Sequence, residues 1–295
     1  MNERLETTDG RQVLRIERRL AHPPAKVWAA VTEPEHLRRW FPAEVRLEPR
    51  PGGRIAFGFG KDPAAESVGS VTAYEPPRLF AFSWDTELFR IELLPDASGC
   101  LLVFSHTFDD RPAAASYAAG WRTCLDELER LADGRPTGPA GRPSGLLHES
   151  YAEAFGLDEG VAEAVSEGWR VRFARQLTQP ADRVWAVLTT ADGGRAIALG
   201  APPPPGFTTA EFPTGVITAL DAPTLLEYAW PATDRPEGRV RWELTPGTGH
   251  GARLLLTQTG PAEAVADRAA ALTGWRARIG SLARRLAEAA DRADD

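Results

Sequence analysis

The chain has 295 residues, of which 43% are hydrophobic and 25% charged, and a formal net charge of -7. This is the make-up of a soluble globular protein long enough for two ordinary domains, and the acidic balance argues against nucleic acid, whose binding a basic patch would mark. No apolar run is long enough to span a bilayer, the polar start from Met1 to Arg11 is no signal peptide, and the two cysteines, Cys100 and Cys124, form no C-x-x-C pair, so a cytoplasmic location with no membrane partner, metal or cofactor is expected.

Val13 to Leu20 reads as a strand. Pro24 stands where a helix tolerates proline best, in its first turn, and Ala25 to Val31 continue that helix. Pro34 opens a second short helix through Trp40. Pro51-Gly52-Gly53 is a turn between two strand-like runs, Val45 to Glu48 and Arg54 to Phe59. Further strands are predicted over Gly69 to Tyr74, Leu79 to Trp84, Leu88 to Leu94 and Leu101 to Phe108. In the last of these, Leu102, Phe104, His106 and Phe108 share one face, because strand side chains repeat every second residue. Tyr117, Trp121, Leu125, Leu128 and Leu131 then mark the apolar stripe of a long helix. An antiparallel sheet of about six strands with a helix on one face is an α+β architecture.

Residues Arg135 to Pro143 are rich in Gly and Pro and read as a linker. A helix is expected over Leu146 to Val165, where Leu147, Tyr151, Ala154, Phe155 and Ala162 fall roughly on one side. After it the first part of the chain returns. Leu20 to Ala29 reappears as Leu177 to Ala186, Gly69 to Ala73 as Gly215 to Ala219, Trp84 as Trp230, Phe89 to Pro95 as Val240 to Pro246, and Gly120-Trp121 as Gly274-Trp275. The order is kept, so one domain type is used twice. The second copy closes with its own stripe, Leu272, Trp275, Ile279, Leu282 and Leu286. The division predicted is a first domain over 1–134, a linker with a helix over 135–166, and a second, shortened domain over 167–295.

The first copy resembles the START-like or SRPBCC superfamily, and within it the relatives of the activator of heat-shock-protein-90 ATPase. The residues that carry the resemblance are Pro23-Pro24-Ala25-Lys26-Val27-Trp28, Pro34-Glu35-His36-Leu37-Arg38-Arg39-Trp40-Phe41-Pro42, Glu48-Pro49-Arg50-Pro51-Gly52-Gly53-Arg54-Ile55, Tyr74-Glu75-Pro76-Pro77-Arg78-Leu79 with Trp84, His106, and Gly120-Trp121 with Leu125 and Leu128. The second copy matches at fewer points. The resemblance implies two tandem helix-grip domains, each a curved antiparallel sheet wrapped on a long C-terminal helix, with a cavity between sheet and helix. Such a fold hosts many functions and names none by itself.

The copies differ where that cavity would open. The interval from Trp28 to Trp84 is longer than that from Trp185 to Trp230, because the second copy has lost part of the region holding Trp40-Phe41-Pro42 and Gly52-Gly53. It carries instead Gly200-Ala201-Pro202-Pro203-Pro204-Pro205-Gly206, read as an extended polyproline-like bridge, and Gln258 stands in place of His106. The first copy is therefore the expected ligand domain. Its candidate pocket residues are Trp40, Phe41, Phe57, Phe59, Trp84, Phe104 and Trp121, with His106 as the polar group among them; core packing accounts for each taken singly. The other histidines, His22, His36, His148 and His250, are scattered and expected on surfaces. Arg90 with Glu92, repeated as Arg241 with Glu243, reads as a solvent-facing ladder of charges.

No catalytic motif is present: neither H-E-x-x-H, nor Cys/His metal spacing, nor a G-x-S-x-G elbow, nor a phosphate-binding G-x-x-x-x-G-K. Three functions are compatible with the sequence. The first is binding of a small hydrophobic molecule, apolar or aromatic, by the N-terminal domain, with the C-terminal copy structural or regulatory. The second is a protein-binding adaptor, chaperone-associated as the family name suggests. The third is a cyclase- or hydrolase-like enzyme on a polyketide-like substrate, with His106 as acid or base.

Overall fold

The computed structural model describes residues 3–59, 66–138, 141, 143–190, 197–231, 238–249, 251–262 and 265–294. It divides into two units, Met1–Pro143 and Ser144–Asp295. Each is an antiparallel sheet closed by one long helix, an α+β architecture.

The first unit runs β1 (Glu3–Thr8), β2 (Arg11–Leu20), α1 (Pro24–Thr32), α2 (Pro34–Leu37), β3 (Glu44–Leu47), β4 (Arg54–Gly58), β5 (Ser67–Glu75), β6 (Leu79–Trp84), β7 (Glu87–Asp96), β8 (Gly99–Phe108) and α3 (Ala114–Ala132). The sheet has eight strands in the order β1-β2-β8-β7-β6-β5-β4-β3. The alternation of β8 does what period two demands: Leu102, Phe104, His106 and Phe108 are all buried, and they face α3, whose Ala118, Trp121, Leu125 and Leu128 are buried in turn.

Two elements of this unit differ from the sequence reading. β1 was not expected, because only one large apolar residue, Leu5, interrupts its polar run. It forms by pairing with β2 from Glu3↔Ile16 to Thr8↔Arg11 across the Asp9-Gly10 turn, a two-residue hairpin signal in its own right. The second helix stops at Leu37, short of Trp40. Pro42 disfavours helical backbone at Phe41, and the Trp40 indole is drawn inward to donate from Nε1 to the Ala30 carbonyl at 2.9 Å.

The second unit runs α4 (Gly145–Ala154), β9 (Val161–Val165), β10 (Gly168–Gln176), α5 (Ala181–Thr189), β11 (Ile217–Asp221), β12 (Leu225–Trp230), β13 (Gly238–Pro246), β14 (Ala252–Gly260) and α6 (Val265–Asp294). Its six strands take the order β11-β12-β13-β14-β10-β9. The helix expected over Leu146 to Val165 is half helix and half strand. Gly156, at φ 61°, ends α4 in the left-handed backbone that favours glycine, and Val161–Val165 then pairs with β10. α4 packs on α6, so His148, expected on a surface, is buried with Tyr151 and Ala152. His22 and His36 lie in the first unit, His22 bonded to Asp133 at 2.8 Å and His36 to the Ala29 carbonyl at 3.1 Å; His250 is outside the described residues.

The proline-rich bridge of the second unit is not simply extended. It tightens into a 3-10 turn over Pro205–Phe207 and delivers Phe207, fully buried, into the core. The Phe207 carbonyl accepts from Tyr228 Oη at 3.1 Å and from Trp242 Nε1 at 3.1 Å. Arg278 of α6 donates to the neighbouring Gly206 carbonyl at 3.0 Å. Phe207→Ala removes this plug's side chain and leaves its backbone bonds. It is expected to lower the stability of the full chain by about 3–5 kcal/mol, read as an earlier urea midpoint in tryptophan emission.

Candidate functional site

The aromatic residues singled out in the first unit form one connected set. Phe41, from the turn after α2, contacts Phe57 at 6.1 Å, Trp84 at 5.9 Å and Trp121 at 5.5 Å between ring centroids. Phe57 on β4 and Trp84 on β6 stack at 4.1 Å with an interplanar angle of 9°. Phe104 on β8 meets Trp121 at 4.7 Å. Trp40 joins through Phe41 at 5.5 Å. Phe59 is the one ring that stands clear: at 44% exposure it lies beyond the end of β4 and covers Trp84 at 5.6 Å. Phe82 and Phe89 bridge the set and were not singled out from sequence, since an alternating strand does not say which of its inward residues will touch.

Beneath Trp40, Phe41 and Phe57 there is little empty space. The cavity among Leu37, Trp40, Phe41, Val45, Phe57 and Phe82 measures about 10 Å3, roughly one water probe. The rings therefore pack on one another in this structure, and they do so in a gradient, from the fully buried Phe57 through the half-buried Trp84 to the exposed Phe59.

A polar chain crosses this apolar interior. Trp121 Nε1 on α3 donates to His106 Nδ1 at 3.2 Å. With Nδ1 accepting, the neutral ring carries its proton on Nε2, and that atom meets Glu87 Oε2 at 2.8 Å. Tyr117 Oη donates to the other carboxylate oxygen of Glu87 at 2.6 Å. Burial holds the His106 imidazole below its ordinary value, the bond to Glu87 only partly opposing this. Burial works to raise Glu87, but the bonds from His106 and Tyr117 outweigh it and hold the carboxyl below its ordinary value. The pair is thus a neutral imidazole donating to a carboxylate, and both imidazole nitrogens are occupied. The sequence pointed to His106 and Trp121. It did not point to Glu87, which is placed by register: Phe89 pairs with His106, and Glu87 is two residues away on the same face.

The second copy keeps half of this chain. Trp275 Nε1 donates to Gln258 Oε1, while Gln258 Nε2 has no partner among the described residues. Val240 pairs with Gln258, so Gly238 takes the place of Glu87. A Cβ at Gly238 would overlap the Trp230 indole, which donates to the Thr259 carbonyl at 2.9 Å. Ala271 stands where Tyr117 would be. The repeated Arg90-Glu92 and Arg241-Glu243 pairs are ion pairs at 2.8 and 3.0 Å on the outer face of each sheet. Burial pushes the Cys124 thiol up to about 12 and also raises Cys100, so both cysteines are protonated core residues. Among the described residues no group of three or more His, Cys, Asp or Glu is placed to hold a metal, and no helix is long and apolar enough to cross a membrane.

The family described as Activator of Hsp90 ATPase homolog 1-like protein matches residues 21–133 and 204–287. Solved structures similar to the chain include CalU16 from Micromonospora echinospora, at 26% identity over 51% of this chain and 94% of that one with a TM-score of 0.42. A conserved protein of unknown function, EF2215 from Enterococcus faecalis, is 23% identical over 52% and 89% of the two chains, with a TM-score of 0.44. An AHSA1-like protein from Aeromonas hydrophila is 22% identical over 41% and 92%, with a TM-score of 0.37. No curated protein matches the chain.

Both shifts in the polar chain have the same sign for stability. A histidine held neutral by the fold is protonated first in the unfolded chain, so stability falls as pH drops through the unfolded histidine value and on toward the lower folded one. A carboxylate held low contributes above its unfolded value and is lost as pH falls through its folded value. His106→Gln can accept from Trp121 and donate to Glu87 without titrating. It is expected to shrink the loss of urea stability between about pH 7 and about pH 5 relative to the parent chain; an unchanged loss would mean that other groups carry the pH dependence.

Proposed function

We propose, for a chain that belongs to the Activator of Hsp90 ATPase homolog 1-like protein family, that the first unit binds a small apolar or aromatic molecule in the cytoplasm and that the second copy is structural or regulatory. The observation that carries this reading is the ring gradient Phe57–Trp84–Phe59. Trp84 stacks on the buried Phe57 at 4.1 Å and is met at 5.6 Å by Phe59, a side chain that is 44% exposed. A planar ligand that takes the place of Phe59 on Trp84 extends the stack and removes its own apolar surface from water, at about 25 cal/mol per Å2 before the costs of association. Because the cavity beneath Trp40, Phe41 and Phe57 holds about 10 Å3, deeper entry there requires Phe41 and Phe59 to turn aside. Phe59 has little burial to lose, and neither ring holds a hydrogen bond that would resist.

The polar chain supports binding over acid-base chemistry. An acid or base must have a nitrogen available to the substrate, and His106 has both engaged, by Trp121 and Glu87. Its role here is to fix the Trp121 ring that forms the wall against Phe41. A protein partner would call for a contiguous apolar face; the large exposed apolar residues of the second unit, Leu146, Val161, Leu199, Val216 and Leu255, are spread over α4, β9, β14 and the segments before β11.

Native mass spectrometry of gently purified full-length chain tests the reading. An apolar adduct is expected on the parent chain and on Trp275→Ala, and its loss on Trp84→Ala. Adduct on all three chains would move the site out of the first unit, and a bare parent chain with a co-purifying protein would favour the adaptor function. A titration separates the two tryptophans of the closing helices. Trp121→Ala is expected to weaken both ligand affinity and stability, whereas Trp275→Ala costs stability alone, each by roughly 3–5 kcal/mol in urea.

A further inference from the structure

The second unit carries a groove that the duplicated fold does not require. α4 lies antiparallel along α6, and both of its ends are tied. Asp291, near the end of α6, accepts from Ser144 Oγ at 2.8 Å and from the Leu146 amide at 3.2 Å as well as from the Gly145 amide. Beyond the other end of α4, Asp158 accepts from Arg276 at 2.8 and 3.0 Å. The stripe of α6 formed by Trp275, Ile279, Leu282 and Leu286 is buried in the core. The next stripe faces α4 across a groove of about 900 Å3. Its wall is low, because Ala277, Gly280 and Ser281 are small; a Cβ added at Gly280 would meet nothing within 4 Å.

The charges along the groove are separated. Arg175 on the floor is paired with Glu149 at 2.6 Å, and Arg276 is paired with Asp158. At the end near Asp291, whose carboxylate is taken up by Ser144 and by the Gly145 and Leu146 amides, Arg284 and Arg285 line the groove beside Glu288, and neither arginine holds an ion pair among the described residues. The Arg175 side chain is only 4% exposed and forms the closed floor beneath these charges. Toward the far end stands Glu153, also without an ion pair among the described residues, where Arg276 already answers Asp158. That end is net negative. The close approach of Gly145 to Ala287 sets the helices in register. Counting along both at 1.5 Å per residue places Glu153 about 8 Å from Arg284 along the axis, before the reach of the side chains is added.

A ligand that fits carries a negative and a positive group about two or three extended residues apart. We propose that this groove binds a short free peptide, its carboxylate held by Arg284 and Arg285, and its ammonium held by Glu153. The small residues of α6 let the peptide backbone lie close to the helix. The site is independent of the aromatic set in the first unit.

Calorimetric titration of the full chain with trialanine bearing free ends is the test. Binding in the millimolar range or tighter is expected, weakened about tenfold or more by amidating the carboxyl end or acetylating the amino end. Arg284→Gln and Glu153→Gln are expected to reproduce these losses one for one, since both residues lie on the surface of the groove and neither supports the core. Added salt should weaken the free peptide's binding, because exposed charges hold it. No binding of trialanine up to about 10 mM would overturn the proposal. So would equal binding of the free and the blocked peptides, or binding that Arg284→Gln leaves unchanged.

Discussion

A buried indole N–H is costly to leave without an acceptor, and the closing helix of each copy meets that cost in the same way. The closing helix lays a tryptophan against the sheet, Trp121 in one copy and Trp275 in the other, and the indole donates to a polar side chain on the last strand, His106 or Gln258. An unmet donor in such a place costs about 1–3 kcal/mol. The bond therefore fixes where each helix sits along its sheet, and so which inward residues the helix covers. The groups beside the acceptor differ with the acceptor chosen. Histidine has a second nitrogen to satisfy and brings Glu87 and Tyr117 with it. Glutamine makes no such connection: Trp230 fills the space of the missing carboxylate and bonds instead to backbone.

The two interiors are closed by different physics. In the second copy the plug is main chain. Phe207 arrives on a proline-rich turn whose carbonyl groups accept from Tyr228, Trp242 and Arg278, so moving it breaks several hydrogen bonds in a buried place. In the first copy the equivalent space is filled by rings whose contacts are non-directional and individually small. Phe41 and Phe59 can turn without leaving a donor or an acceptor stranded. The proposed assignment of ligand binding to the first copy rests on this difference in the resistance to opening.

The repeated tryptophans, the alternation that brings Leu102, Phe104, His106 and Phe108 to one face, and the stripe from Tyr117 to Leu131 are local patterns, and each element they mark is present. What was not legible depends on pairing between distant segments. Glu87 is unremarkable beside Asp85 and Thr86 until the register sets Phe89 against His106. β1 has too few apolar residues to announce itself and exists because β2 offers an unpaired edge. In the stretch from Leu146 to Val165 the apolar spacing is that of one helix, while Gly156 and Gly160 mark the break at which the helix gives way to a strand. His148 shows the same limit from the other side, since a single polar residue on a helix reads as exposed until the partner helix is known.

Duplication explains why the second copy tolerates what the first does not. The first keeps a buried imidazole–carboxylate pair, which costs desolvation and ties stability to pH, and a ring-filled interior that a main-chain plug would make more secure. The second has exchanged the pair for a neutral amide and its interior has been sealed. The outer face of its closing helix has also gained α4, and with it an arrangement of charges that the fold itself does not need. A core closed by hydrogen-bonded main chain is a firm base on which helix surfaces can be held in register. The groove between α4 and α6 depends on that firmness: Arg175 reaches its floor from β10, and α4 is held at both ends by residues anchored on or against α6.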